Sequence, residues 1–402
     1  MSITPSPRSF NIAPFHVMEL VKHAQILADQ GRSIIHLSIG EPDFGTPQPV
    51  LDALKQQLVP ERTAYTPALG TAALRQTIAA FYRSRHGVVV PMEDIMVTAG
   101  ASGALLLTAA ALIAPGDEIL MPDPSYPCNR HFVTAFEGVA RAIPCGAAER
   151  FQLTAAMVEQ HWNASTRGVL IASPSNPTGT TISPAELADI LAVVSARGGV
   201  LIVDEIYLGL SYEEAGSHSV LELKGARAAG NLIVINSFSK YFNMTGWRLG
   251  WLVAPPDLMP VFEKLAQNLF ICPSALAQHA ALTCFEPATL AIYDQRRDEF
   301  KRRRDFIVPA LRAMGLDVPV MPDGAFYVYA DCSRFLTPAV PDSYALALHI
   351  LETSGVSVVP GKDFGNNQPE RWLRFTYANS MENLIEAMRR LAGVLAGLAA
   401  SR

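Results

Sequence analysis

Tyr126, Asn176, Asp204, Tyr207, Ser237, Ser239 and Lys240 share one feature: each follows closely on a short apolar run. The run 118–121 (EILM) leads into Pro122-Asp123-Pro124-Ser125-Tyr126, and 168–172 (GVLIA) leads into Ser173-Pro174-Ser175-Asn176-Pro177. The run 200–203 (VLIV) ends in Asp204-Glu205-Ile206-Tyr207, and 232–235 (LIVI) ends in Asn236-Ser237-Phe238-Ser239-Lys240. Gathered at one edge, these side chains suit a definite chemistry. A carboxylate can keep a pyridine nitrogen protonated, and a lysine can form an imine. Small hydroxyls with an arginine, here Arg248 eight residues past Lys240, can hold a phosphate. Together those are the needs of pyridoxal phosphate used as an electron sink.

The elements that would gather them are legible. Continuous apolar runs mark strands buried on both faces, as in a parallel sheet, and ligands of such sheets bind beyond the carboxyl ends of the strands. Between two runs, Ser183 is an expected N-cap, Pro184 takes the first helical position and Glu186 completes a capping box. Leu187, Ile190, Leu191 and Val194 form its apolar stripe, ended by Gly198-Gly199. A fifth loop, 98–103 (TAGASG), opens a helix whose free N–H groups around Ala101 and Ser102 could cradle a phosphate. The fold class is therefore α/β, with a mostly parallel sheet between helices in a large domain over 46–292. Residues 293–402 read as a smaller α+β domain: a charged helix near 293–313, strands near 325–329 and 372–375, and a closing helix near 381–399. The first 45 residues are expected to be an arm plus part of that smaller domain.

Composition removes other classes. Half of the 402 residues are hydrophobic, 17% are charged and the net charge is -5, with no basic patch or stripe to suit a nucleic acid. The run Lys301-Arg302-Arg303-Arg304 reads as a solvated helix face. Five scattered cysteines (Cys128, Cys145, Cys272, Cys284, Cys332) form no CxxC pair, and the nine histidines show no ligand spacing, so no metal is expected. The N-terminus lacks the layout of a signal peptide, and the longest apolar stretch, 104–114, is too short for a bilayer. The expectation is a cytoplasmic protein with no membrane partner.

The segment 237–250 (SFSKYFNMTGWRLG) resembles the lysine motif of the class I/II aminotransferases of fold type I, the aspartate aminotransferase superfamily. The segments 174–179 (PSNPTG), 204–207 (DEIY), 65–70 (YTPALG) and 373–375 (LRF) resemble the same family in the same order, so the likeness spans about 10–395. The resemblance implies that Lys240 carries the cofactor as a Schiff base and shuttles a proton. It implies that Asp204 pairs with the pyridinium nitrogen, that Asn176 and Tyr207 meet the 3′-oxygen, and that Tyr126 stacks on the ring. Ser237, Ser239, Arg248, Ala101 and Ser102 would bind the phosphate. Tyr65 would reach it from a neighbouring subunit, so a homodimer with shared sites is implied. Arg374 would clamp the substrate α-carboxylate, with Gly40 allowing close backbone approach.

The activity implied is transfer of an amino group from an L-α-amino acid to a 2-oxo acid, 2-oxoglutarate or pyruvate, within amino acid metabolism. Two readings stay open beside it: a pyridoxal-phosphate-dependent C–S β-lyase, and a cofactor-binding regulator. Resembling enzymes that use aspartate often carry lysine where this chain has Ser102, which counts against a dicarboxylic donor and leaves alanine or an aromatic donor open.

Overall fold

The structure is a computed structural model and describes residues 3–213 and 216–400. Its strands are β1 (Ile35–His36), β2 (Ile95–Thr98), β3 (Glu118–Asp123), β4 (Val139–Pro144), β5 (Thr166–Ala172), β6 (Val200–Asp204), β7 (Leu232–Ser237), β8 (Gly250–Val253), β9 (Tyr327–Asp331), β10 (Val356–Ser357), β11 (Val359–Pro360) and β12 (Trp372–Thr376). The order β2-β8-β7-β6-β5-β3-β4 makes a seven-stranded sheet in which only β8 runs against its neighbours. The four apolar runs are β3, β5, β6 and β7, and every residue of β6 and β7 is buried. Strands covered on both faces need no polar alternation, which is why they read as unbroken hydrophobic runs.

The helix Pro184–Ala196 starts on Ser183, whose hydroxyl accepts from Glu186 N at 3.2 Å, and Gly198 follows its end with φ +69°. The capping box is corrected: Glu186 Oε1 accepts from Ala155 N at 2.6 Å, so it caps the neighbouring helix Ala155–His161.

Towards the C-terminus a three-stranded antiparallel sheet, β11-β12-β9, is flanked by the helices Pro287–Ala313, Ser343–Ser354 and Met381–Ala400. The long helix begins six residues earlier than the charge pattern suggests, on Pro287. Strand β1 pairs in parallel with β10, which ties the N-terminal segment to this part of the chain.

The basic run on the long helix is also corrected. Arg303 and Arg304 are only 4% and 5% exposed. Arg303 pairs with Asp43 and Glu299 and lies over the Phe44 ring, while Arg304 pairs with Glu213 and Asp305 and donates to Pro322 O. Buried guanidinium groups persist when partners satisfy them, and Asp43, Glu213 and Pro322 come to them from outside the helix. Among the described residues no helix is long and apolar enough to cross a membrane, and no cluster of three or more His, Cys, Asp or Glu could hold a metal.

Candidate active site

The ends of β5, β6 and β7 (Ala172, Asp204 and Ser237) open into one cavity of about 510 Å³. It is closed from other sides by the start of the helix Gly100–Leu112, by residues 15–21 and 38–40, and by Phe364 and Arg374. Lys240, Asp204, Tyr207, Asn176, Tyr126, Ala101, Ser102, Ser237, Ser239, Arg248, Arg374 and Gly40 all line it. Tyr65 does not; it is 86% exposed on the loop that precedes the helix Ala72–His86.

Lys240 Nζ donates to Gly40 O at 2.7 Å and lies 5.6 Å from the centre of the Tyr207 ring. Burial lowers its pKa to about 8, with Arg374 and Arg248 adding to the fall and Glu41 opposing it. Asp204 is buried where β6 ends, and its Oδ1 accepts from Ile206 N at 3.1 Å. Burial raises its pKa to about 7, against the pull of that N–H and of Lys240. An acid pushed up beside a lysine pushed down, in one cavity, is a signature of reactive sites.

One corner of the cavity combines backbone N–H groups with the side chains of Ser237, Ser239 and Arg248. The helix Gly100–Leu112 starts without a side-chain cap, so its first N–H groups stay available. Arg248, held at φ +52°, donates to Ser239 Oγ at 3.3 Å and to Thr245 O at 3.1 Å. A β-carbon built on Gly100 would lie 2.6 Å from Arg248 Nη2, so glycine keeps room for the guanidinium at the helix start. Ser237 Oγ accepts from Ser239 N at 3.0 Å, which fixes the turn between them.

Opposite this corner Arg374 donates to Asn176 Oδ1 at 2.9 Å and to Ser38 O at 2.6 Å. Its Nε is buried without a hydrogen-bond partner. The guanidinium lies 4.5 Å from the ring centre of Tyr327, whose hydroxyl shares a 2.8 Å hydrogen bond with that of Tyr207. A β-carbon on Gly40 would lie 2.7 Å from Tyr327 Oη, which gives the glycine its physical reason.

Tyr327 and the apolar residues Phe15, Val17, Met18 and Phe364 were not anticipated from the sequence. An aromatic in an apolar strand, or a hydrophobic residue in an arm, carries no chemical pattern. Only proximity in the fold reveals them.

Residues 32–391 match the family model of aminotransferase class I and II, and the chain belongs to that family. It is an enzyme that moves an amino group from an amino acid to a 2-oxo acid. The chain is 38% identical to a valine–pyruvate aminotransferase of Mycobacterium tuberculosis over 96% of this chain and 97% of that protein. The crystal structure of an aminotransferase from the same organism superposes with a TM-score of 0.93 at 38% identity, covering 98% and 100% of the two chains. The aspartate aminotransferase of Rhizobium meliloti gives a TM-score of 0.91 at 30% identity, covering 98% and 99%. Class I and II aminotransferases work with pyridoxal phosphate.

Proposed function

We propose that this chain is a pyridoxal-phosphate-dependent transaminase whose cofactor sits in the cavity around Lys240. The observation that carries the reading is the convergence of Asp204, of Lys240 with Arg248, and of Arg374 on one cavity from three separate parts of the chain. The donor set fits the cofactor group by group. The uncapped helix start, Ser237, Ser239 and Arg248 would hold the phosphate dianion. Asp204 would hold the ring nitrogen, Asn176 and Tyr207 the 3′-oxygen, and Tyr126 one ring face. When bound, pyridoxal phosphate supplies an aldehyde that joins an amine and a ring that draws electrons from the donor Cα.

The chain's own groups do the rest. Arg374, aligned by Asn176 and Ser38, presents a planar fork to an α-carboxylate. Its buried Nε, left without a partner, has a donor to give. Lys240 Nζ, with its pKa near 8, can take a proton from the donor Cα and return it on the acceptor half of the cycle. Asp204 answers the positive charge of a protonated ring nitrogen. The experiment is reduction of the holoenzyme with borohydride and peptide mapping: the pyridoxyl group is expected on Lys240, and a label on another lysine overturns the mechanism. Turnover that depends on an added 2-oxo acid separates transfer from β-elimination.

Arg374→Lys is expected to keep fold and cofactor but weaken every donor and acceptor by a similar factor. An ammonium cannot reproduce two parallel charge-assisted bonds, and each such bond is worth about 1.5–3 kcal/mol. The comparison is kcat/KM across donors. If only dicarboxylic donors suffered, Arg374 would be reading the side chain instead.

We further infer a homodimer with shared sites. The supporting observation is Tyr65, bare on a loop that Gln278 fastens through Thr66, with Leu269 and Ile271 exposed just before the helix Ala275–Ala281. Mixed Tyr65→Phe and Lys240→Ala chains should then regain activity, because one heterodimer site is intact. Additive activities with no gain would place Tyr65 outside the site. The division into 46–292 and 293–402, with 1–45 joining the latter, and a cytoplasmic, biosynthetic role belong to the same proposal.

A further inference from the structure

Tyr327 is the first residue of β9, fully buried, and it lines the cavity from the three-stranded sheet. Its place is fixed from several sides. Its backbone is paired with Thr376 of β12, and the Arg374 guanidinium lies 4.5 Å from its ring centre. Its hydroxyl abuts Gly40, where an added β-carbon would come within 2.7 Å, and Gly40 O holds Lys240 Nζ at 2.7 Å. The same hydroxyl shares the 2.8 Å hydrogen bond with Tyr207, and the two rings meet edge to face at 5.7 Å and 81°. One side chain thus touches the carboxylate fork, the backbone that holds the amine, and the phenol that follows β6. Tyr207 and Tyr327 are 3% and 0% exposed within the single chain, so the pair takes nothing from a neighbouring subunit.

The shared bond acquires a direction once Tyr207 serves the 3′-oxygen. Burial raises both phenols above the ordinary tyrosine value, so each keeps its proton at neutral pH. The groups that face them are Arg374, Tyr126 and, over the Tyr207 ring, Lys240. A phenol has one proton to donate and can accept as well. When the Tyr207 proton goes to the 3′-oxygen, the bond between the two hydroxyls is left with the Tyr327 proton as its donor. Among the described residues Tyr327 Oη has no other hydrogen-bond acceptor. A hydroxyl that accepts one such bond donates the next more strongly, because bonds in a chain polarise one another.

We propose that Tyr327 is a positioning residue of the reaction, whose hydroxyl donates to Tyr207 and thereby commits the Tyr207 proton to the cofactor's 3′-oxygen. It touches no reacting atom and acts through Tyr207. This rests on the transaminase reading above and deepens it.

The test separates the hydroxyl from the ring. Tyr327→Phe keeps the ring beside Arg374 and removes only the oxygen. A hydrogen bond donated to the 3′-oxygen competes with the proton that this oxygen shares with the Lys240 nitrogen, so weakening it lets that proton stay to higher pH. The pH midpoint at which the holoenzyme's yellow colour fades should therefore rise by about half a unit to one unit, the size of one neutral hydrogen bond. With whichever donor the wild type uses fastest, kcat should fall about three- to ten-fold. The dissociation constant of pyruvate on the holoenzyme, read by calorimetry, should stay within about two-fold, because Arg374 keeps its support. In a Tyr207→Phe background the same substitution should move the midpoint no further. A midpoint that stays or falls, or an equal rise in both backgrounds, overturns the relay. Pyruvate binding weakened about ten-fold with an unmoved midpoint also overturns it and makes Tyr327 a prop for Arg374. A wild-type protein that shows no pH-dependent cofactor colour overturns the transaminase reading instead.

Discussion

Lys240→Ala is expected to fold, to take up pyridoxal phosphate, and to lose about 10²–10⁴ or more of its turnover. The loss follows from the position of Nζ, the only lysine amine that lines the cavity among the described residues. Retained folding follows from its energetics. Burial drags the amine to about 8 because the folded protein disfavours its charge. The folded chain therefore binds that proton more weakly than the unfolded chain. The cost is complete below about pH 8 and is relieved as pH rises from there towards the ordinary lysine value. Alanine removes the cost, so the apo variant should melt no lower than wild type at pH 7, with the gap closing in alkali. The single bond lost, to Gly40 O, is a small offset. A second readout uses the wild type alone. Capture of pyridoxal phosphate by apo-protein should rise with pH and level off near 8, well below an exposed lysine. A variant that unfolds at neutral pH, or one with near wild-type turnover, would count against the role given to Lys240.

What the sequence made legible follows physical lines. β3, β5, β6 and β7 stood out because burial on both faces forces unbroken apolar runs. The sheet then delivers Asp204, Asn176, Ser237 and Lys240 to one edge, so strand ends alone located the polar half of the site. β4 did not stand out: it lies at the sheet edge and exposes Val139, Arg141 and Ala142, so no run survives. β2 and β8 were not read from the sequence, although each is buried along all four of its residues. Arg303 and Arg304 looked solvated because a charge run shows its charges and hides its partners. Asp43 and Glu213 reach them only through tertiary packing. Glu186 was placed correctly at a helix start, yet its carboxylate serves a different helix, since spacing within one segment cannot weigh a competitor 31 residues away. Tyr327 was hidden for a related reason. It takes its meaning only from the cavity it lines, and Tyr207, its hydroxyl partner, lies 120 residues away.

Asp204 gives the second large effect and the sharper separation of catalysis from stability. Its carboxyl, raised to about 7 by burial, keeps its proton in the folded apo-protein over a range where the unfolded chain has already lost it. Between the ordinary aspartate value and about 7 the folded state therefore binds more protons, and stability falls as pH rises. Above about 7 the full cost of a buried carboxylate is present. Asp204→Asn removes that cost while leaving an oxygen to accept from Ile206 N. The apo variant should be at least as stable as wild type at pH 8 and gain little near pH 4, as thermal melts at the two pH values would show. Turnover should move the other way. Without a carboxylate to hold its proton the ring nitrogen is a weaker electron sink, and removing a charge-stabilising group of this kind typically costs about 10²–10³ in kcat. Asp204→Ala should lose as much turnover and, lacking the acceptor for Ile206 N, gain less in stability. A variant more stable than wild type at pH 8 and far slower would place Asp204 on the reaction. Near wild-type turnover with a lower melting point would reduce it to a cap on the turn after β6.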